Sequence, residues 1–195
     1  MRRVASLLLF CTLAASSLSC SALKEIANLR NLVFSLDRIA DVQLADVPLA
    51  NIKAYDDLQF TEVARLGRAV VNREIPLSFD LNIGAENPPE NNVQARMVRM
   101  DWTLLLEDTE TISGIIDDEF LIPAGGTATI PLSINLELFS FFDKSAKDLV
   151  DLALSLSGAG GEPKNIKIRA LPTINTPLGP IRYSDPITIV SKTVG

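Results

Sequence analysis

Ile75, Leu77, Phe79, Leu81, Ile83 and Ala85 hold every second position, with Pro76, Ser78, Asp80, Asn82, Gly84 and Glu86 between them. Successive side chains of a strand point to opposite faces, so this spacing predicts an extended segment with one buried and one wet face. Asn87-Pro88-Pro89 ends it, because proline supplies no ladder N–H and asparagine can close a turn with its own side chain. The period recurs in Ala128, Ile130, Leu132, Ile134, Leu136 and Leu138, after the turn signal Pro123-Ala124-Gly125-Gly126. Val98, Met100, Trp102, Leu104 and Leu106 form a third such row, with Arg99, Asp101 and Thr103 outward.

Shorter rows accompany these. Leu32, Phe34 and Leu36 predict a first strand, and Val42, Leu44 and Val47 a second extended piece ended by Pro48. A turn near Asp108 leads into residues 109–116, with Ile112 and Ile116 inward. Ile166, Ile168 and Ala170 face in against outward Lys167 and Arg169; Ile181, Tyr183, Ile187 and Ile189 close the chain, with Pro186 at an edge or bulge. About seven strands separated by turn signals argue for a mainly β fold, an immunoglobulin- or fibronectin III-like sandwich.

Two stretches follow a helical period instead. In residues 61–72 the apolar positions are Val63, Ala64, Leu66, Ala69 and Val70, with Thr61 as cap and Glu62 in the favourable first turn. In residues 143–156 they are Ala146, Leu149, Val150, Ala153 and Leu156, with Asp143 as N-cap and Gly158 as stop. Both short helices would lie against the sandwich. Asn91-Asn92 and residues 157–162 read as surface loops.

The N-terminus has a different character. Arg2 and Arg3 precede an apolar run from Val4 to Ala15, too short to span a bilayer but suited to a signal-peptide core. Ser16, Ser17, Leu18 and Ser19 then lead to Cys20. The segment resembles a bacterial lipoprotein signal, which implies lipid on the Cys20 thiol and cleavage before it. The resulting division is a signal peptide over 1–19, a lipidated cysteine and tether over 20–30, and one β-sandwich domain over 31–195. The partner so implied is a membrane, reached through the lipid. The location implied is the bacterial cell envelope, with the periplasmic face of the outer membrane preferred to the inner membrane.

Cleavage would remove two of the 18 basic residues and none of the 24 acidic ones, leaving 176 residues with 16 basic against 24 acidic, a net charge of −8. An acidic domain without a basic cluster does not suit nucleic acid, whose phosphates need concentrated Lys or Arg. It is equally unsuited to lie on anionic lipid by its overall charge, so acyl chains would do the anchoring. Cys11 would leave with the signal and Cys20 would carry lipid, so the mature domain has neither disulfide nor thiolate nucleophile. Histidine is absent. That removes the commonest general base and the usual zinc and copper ligands, and no cofactor is expected.

Leu77-Ser78-Phe79-Asp80-Leu81-Asn82-Ile83, Glu86-Asn87-Pro88, the strand from Trp102 to Leu106, and Ile122-Pro123-Ala124-Gly125-Gly126 into Ile130-Pro131-Leu132 together resemble the late embryogenesis abundant (LEA) type 2 family. Its domain is also called the water-stress and hypersensitive-response (WHy) domain. Thr176-Pro177-Leu178-Gly179 followed by Ile181-Arg182-Tyr183 resembles bacterial members that carry this domain on lipoproteins. Asn87 and Pro88 match the family turn, although Pro89 stands where the family commonly has a second asparagine. The resemblance spans roughly residues 30–190. It implies a folded sandwich associated with desiccation and water stress, acting as a protective or structural domain with no catalytic residues to transfer.

Other candidates are weaker. Asp117, Asp118 and Glu119 are clustered carboxylates of the kind calcium takes, but lack EF-hand spacing and read first as a solvated turn. Asp56-Asp57 reads as a cap region, Gly158-Ala159-Gly160-Gly161 lacks the Lys-Ser/Thr of a phosphate loop, and Trp102 reads as core. The leading expectation is a non-enzymatic, membrane-anchored stress domain. The alternative is an envelope binding module for an apolar ligand or protein partner, and an enzyme is the least favoured class.

Overall fold

The computed structural model describes residues 31–53, 55–142, 144–158, 165–176 and 178–190. The signal segment, Cys20, the tether, Asp143, Ala159, Gly160, Gly161 and Pro177 lie outside them. The elements are β1 (Val33–Leu44), β2 (Val47–Pro48), α1 (Phe60–Asn72), β3 (Pro76–Glu86), β4 (Ala95–Leu106), β5 (Thr109–Ile116), β6 (Phe120–Ile122), β7 (Thr127–Glu137), α2 (Ala146–Leu156), β8 (Ile166–Thr176), β9 (Gly179–Arg182) and β10 (Ile187–Val190). Two antiparallel sheets pack as a β-sandwich. One has the order β2-β1-β3-β7; the other has β10-β8-β4-β5, with β6 added to β4 and β9 to β8.

The cleanest period in the sequence becomes the centre of the first sheet. β3 pairs with β7 from Pro76–Glu137 to Glu86–Thr127 with no register shift. Leu77, Phe79, Leu81, Ile83 and Ala85 are buried on one strand, and Ile130, Leu132, Ile134 and Leu136 on the other. On the opposite side β1 pairs with β3 through two irregularities, near Asp37 and Asp41, and Asp41 has a φ of 52°. Those shifts carry Val42 and Leu44 into the same strand as Phe34 and Leu36, while Val47 and Pro48 of the second expected piece turn back as β2. The last expected strand instead divides into β9 and β10 around Tyr183 to Pro186.

β4 is the middle of the second sheet, between β5 and β8. Val98 was expected inward but is only half-buried, whereas Ala95 and Met97 are fully buried. The cause is a register shift between Met97 and Arg99 against β8, which inserts one residue and swaps the faces on either side of it. Inward positions Met100, Trp102, Leu104 and Leu106 meet Ile166, Ile168 and Ala170 in the core.

The helices start elsewhere than the sequence suggests. α1 is capped by Gln59, whose N–H donates to the Glu62 carboxylate at 2.8 Å, not by Thr61. Ala64, expected on its inner stripe, is exposed. α2 is capped by Ser145, whose Oγ accepts from the Asp148 N–H at 3.3 Å, and Gly158 follows its last turn with φ 69°. Leu149, Val150, Leu152, Ala153, Leu154, Ser155 and Leu156 are all buried. A helix enclosed on nearly every side belongs to the core, and α2 does.

Candidate functional site

Asn87 and Pro88, the turn residues singled out in the sequence, sit where three loops meet. Asn87 is fully buried. Its Nδ2 donates to the Val93 carbonyl at 2.9 Å and the Ile122 carbonyl at 3.3 Å, and its Oδ1 accepts from Asn91 Nδ2 at 2.8 Å. Its backbone N–H donates to the Gly126 carbonyl at 2.8 Å, and the Asn91 N–H donates to the Pro88 carbonyl at 2.9 Å. The Gly126 N–H closes the next turn on the Pro123 carbonyl at 3.0 Å, with Gly125 at φ 61°. A buried amide costs free energy unless its hydrogen bonds are made, and here they are made across segments distant in sequence. Asn91, read as a surface loop residue, is 3 % exposed because it completes this knot. The knot positions loops, and its chemistry is that of a structural clamp.

The outer face of the β4 sheet carries most of the ion pairs. Arg99 contacts Asp101 at 2.9 Å and Asp117 at 3.0 Å, and Arg182 also reaches Asp101. Arg96 pairs with Glu119 at 2.9 Å. Lys167 pairs with Asp108 and Arg169 with Glu110, each from β8 across β4. Of the three clustered acids considered for calcium, Asp117 and Glu119 are therefore engaged by arginines. Among the described residues, no group of three or more His, Cys, Asp or Glu side chains is placed to hold a metal ion. The two-residue spacing of Asp108 with Glu110 and of Lys167 with Arg169 was the readable signal for this ladder.

Beside it lies a hollow of about 510 Å³, lined by Trp102, Gly114, Ile115, Arg169, Leu171 and Pro186 among others. A smaller one of about 240 Å³ lies over Gln43, Ser78, Asp80 and Asn135 of the first sheet. Trp102 itself is core, 8 % exposed, and its indole N–H has no hydrogen-bond partner among the described residues. At the start of α2 the Asp148 carboxyl is held below its ordinary pKa, chiefly by the Ser145 hydroxyl that donates to it at 2.7 Å. Desolvation opposes this, while the Ser145 backbone N–H, Lys147 and Lys144 reinforce it. Among the described residues, no helix is long and apolar enough to cross a membrane.

No protein-family model matches the chain, and no curated protein matches it. Solved structures do. A candidate late embryogenesis abundant (LEA) protein, solved in solution, is 13 % identical with a TM-score of 0.39, covering 93 % of this chain and 87 % of its own. A protein from Arabidopsis thaliana is 18 % identical with a TM-score of 0.44, covering 62 % and 71 %. A protein from Archaeoglobus fulgidus is 12 % identical with a TM-score of 0.36, covering 60 % and 82 %.

Proposed function

We propose that the chain is a membrane-anchored LEA type 2 lipoprotein of the bacterial envelope, a non-catalytic domain protecting or supporting other components under water stress. The observation that carries this reading is the continuous apolar core. Apolar side chains run without a break from Leu44 and Phe79 through Met100 and Leu104 to Leu152 and Ile168. Three of the polar residues buried among them are bonded for structure: Asn87 and Asn91 in their knot, and Thr176 Oγ1, which donates to the Gly179 carbonyl at 2.7 Å. What the domain offers a neighbour is therefore its surface. That surface is acidic overall, and like charge keeps molecules dispersed as water is lost.

Two measurements test the reading. Drying or freeze–thaw of a labile enzyme with this protein should leave less aggregate than with an unrelated acidic domain of equal mass concentration; equal aggregate sinks the protective role. Fractionation of Cys20→Ala cells should find the protein released or unprocessed, and full processing with membrane retention would remove the lipid anchor. The hollow beside Ile115 and Pro186 favours a second reading, a module binding an apolar ligand or protein partner. Mass spectrometry of the purified protein finding one recurrent co-purifying molecule would promote it.

A further inference from the structure

Helix α1 packs by one face only. Leu66 is buried and Val63, Ala69 and Val70 are half-buried, while Phe60 is 87 % and Val71 82 % exposed. At about 100° per residue, Phe60, Ala64, Gly67 and Val71 share one outward stripe about 16 Å long. Ala64 and Gly67 are exposed as well, and a Cβ on Gly67 would meet nothing within 4 Å. Single exposed apolar side chains are ordinary; two large ones at the ends of one uncovered stripe form a patch.

The cations beside the stripe differ from those of the second sheet and those around α2. Arg96, Arg99, Lys144, Lys147, Lys167, Arg169 and Arg182 each pair with a carboxylate. Arg65 instead donates to the Asp46 carbonyl at 3.0 Å and Arg68 to the Ala64 carbonyl at 3.3 Å, so neither is paired with a carboxylate. The helix's single carboxylate, Glu62, is turned to the Gln59 N–H. Thus the polar flank beside Phe60 and Val71 holds Thr61, Arg65, Arg68 and Asn72, cationic without an acid.

We infer that α1 docks on an anionic phospholipid surface, Phe60 and Val71 entering the headgroup–acyl boundary while Arg65 and Arg68 meet lipid phosphates. An exposed apolar stripe beside basic side chains is the pattern of helices that lie in a membrane interface. The shape selects a bilayer over a folded partner. Two protruding side chains with small residues between them need pockets in a protein, whereas lipid deforms around them. A second copy laid antiparallel on the stripe would bring two Arg68-bearing flanks together. The inference does not require lipid on Cys20, and it reverses the expectation drawn from overall charge, because the local pairing pattern outweighs the sum.

The test uses the full chain with Cys11→Ser and Cys20→Ser, carrying one environment-sensitive fluorophore on Val71→Cys or, as control, on Thr129→Cys. Phosphatidylglycerol-containing vesicles should shift the position-71 emission to the blue and leave position 129 unchanged, while pure phosphatidylcholine vesicles leave both unchanged. Arg65→Gln/Arg68→Gln, and separately Phe60→Ser, should abolish the shift. No shift at 71, equal shifts at both positions, or indifference to both variants overturns the inference. So does a position-71 shift that grows with protein concentration in vesicle-free buffer, which would identify a second copy as the occupant.

Discussion

The indole of Trp102 lies across Gly114, its partner on the neighbouring strand, so closely that a Cβ at position 114 would stand 2.5 Å from Cζ2. No real Cβ contact is that short, so the glycine is required by space. Gly114→Ala should cost about 1–3 kcal/mol, the range for forcing extra volume into a packed core. Trp102 is the chain's one tryptophan, so its fluorescence reports the displacement directly. Combining Gly114→Ala with Trp102→Leu should recover much of that penalty in denaturant unfolding; strict additivity would show that the clash is relieved elsewhere.

Asn87→Ala removes one side chain and with it the hydrogen bonds to the Val93 and Ile122 carbonyls and from the Asn91 amide. A buried polar group left unsatisfied costs about 1–3 kcal/mol, and partial relaxation should hold the total near 3 kcal/mol. Asn92→Ala, at an exposed neighbour, should stay within about 0.5 kcal/mol. Similar denaturation midpoints for the two variants would show that the knot is not a clamp.

Ile134 on β7 is 2 % exposed, whereas Thr129 on the same strand faces solvent. Ile134→Ala should therefore cost about 2–5 kcal/mol. Thr129→Ala should change stability by less than about 0.5 kcal/mol. Chemical denaturation of the two variants under one condition checks the facing of the strand.

The lowered pKa of Asp148 makes a pH-dependent contribution to α2. A carboxyl depressed by folding adds stability that is fully present above its unfolded value of about 3.9 and fades as pH falls through the lower folded value. Wild type should therefore exceed Asp148→Asn in stability at neutral pH, with the difference closing in strongly acid solution. Ser145→Ala should flatten the same acid limb and cost about 1 kcal/mol through the lost cap. An Asp148→Asn difference that persists unchanged into acid would assign the effect to something other than charge.

The strands were legible because a face buried in a sandwich writes a period of two, and Ile75 to Ala85 shows it without interruption. Legibility failed where the backbone inserts a residue. Val98 keeps the right parity on paper, but the shift before Arg99 transfers burial to Ala95 and Met97. α2 was readable as a helix, yet Leu152 and Leu154 escaped its expected stripe because enclosure from several sides leaves no polar face to define one. Asn87 was recognisable as a turn residue. Its hold on Ile122, 35 positions away, was not, since spacing carries no trace of such a contact. The exposed stripe of α1 was hidden by the opposite error: Ala64 was counted as core because small apolar residues suit either side.

The position of β4 between β5 and β8 also sets a timetable. β5 follows β4 at once, whereas β8 is made only after β6, β7 and α2. A growing chain can therefore finish the β1-β3-β7 part of its first sheet while one margin of β4, from Arg96 to Leu106, still waits for its mate. Such a bare margin, with Met97, Met100 and Leu104 along it, is a template for any other extended polypeptide nearby. The molecule is thus most adhesive shortly before it is complete, and pairing with β8 is what ends that interval.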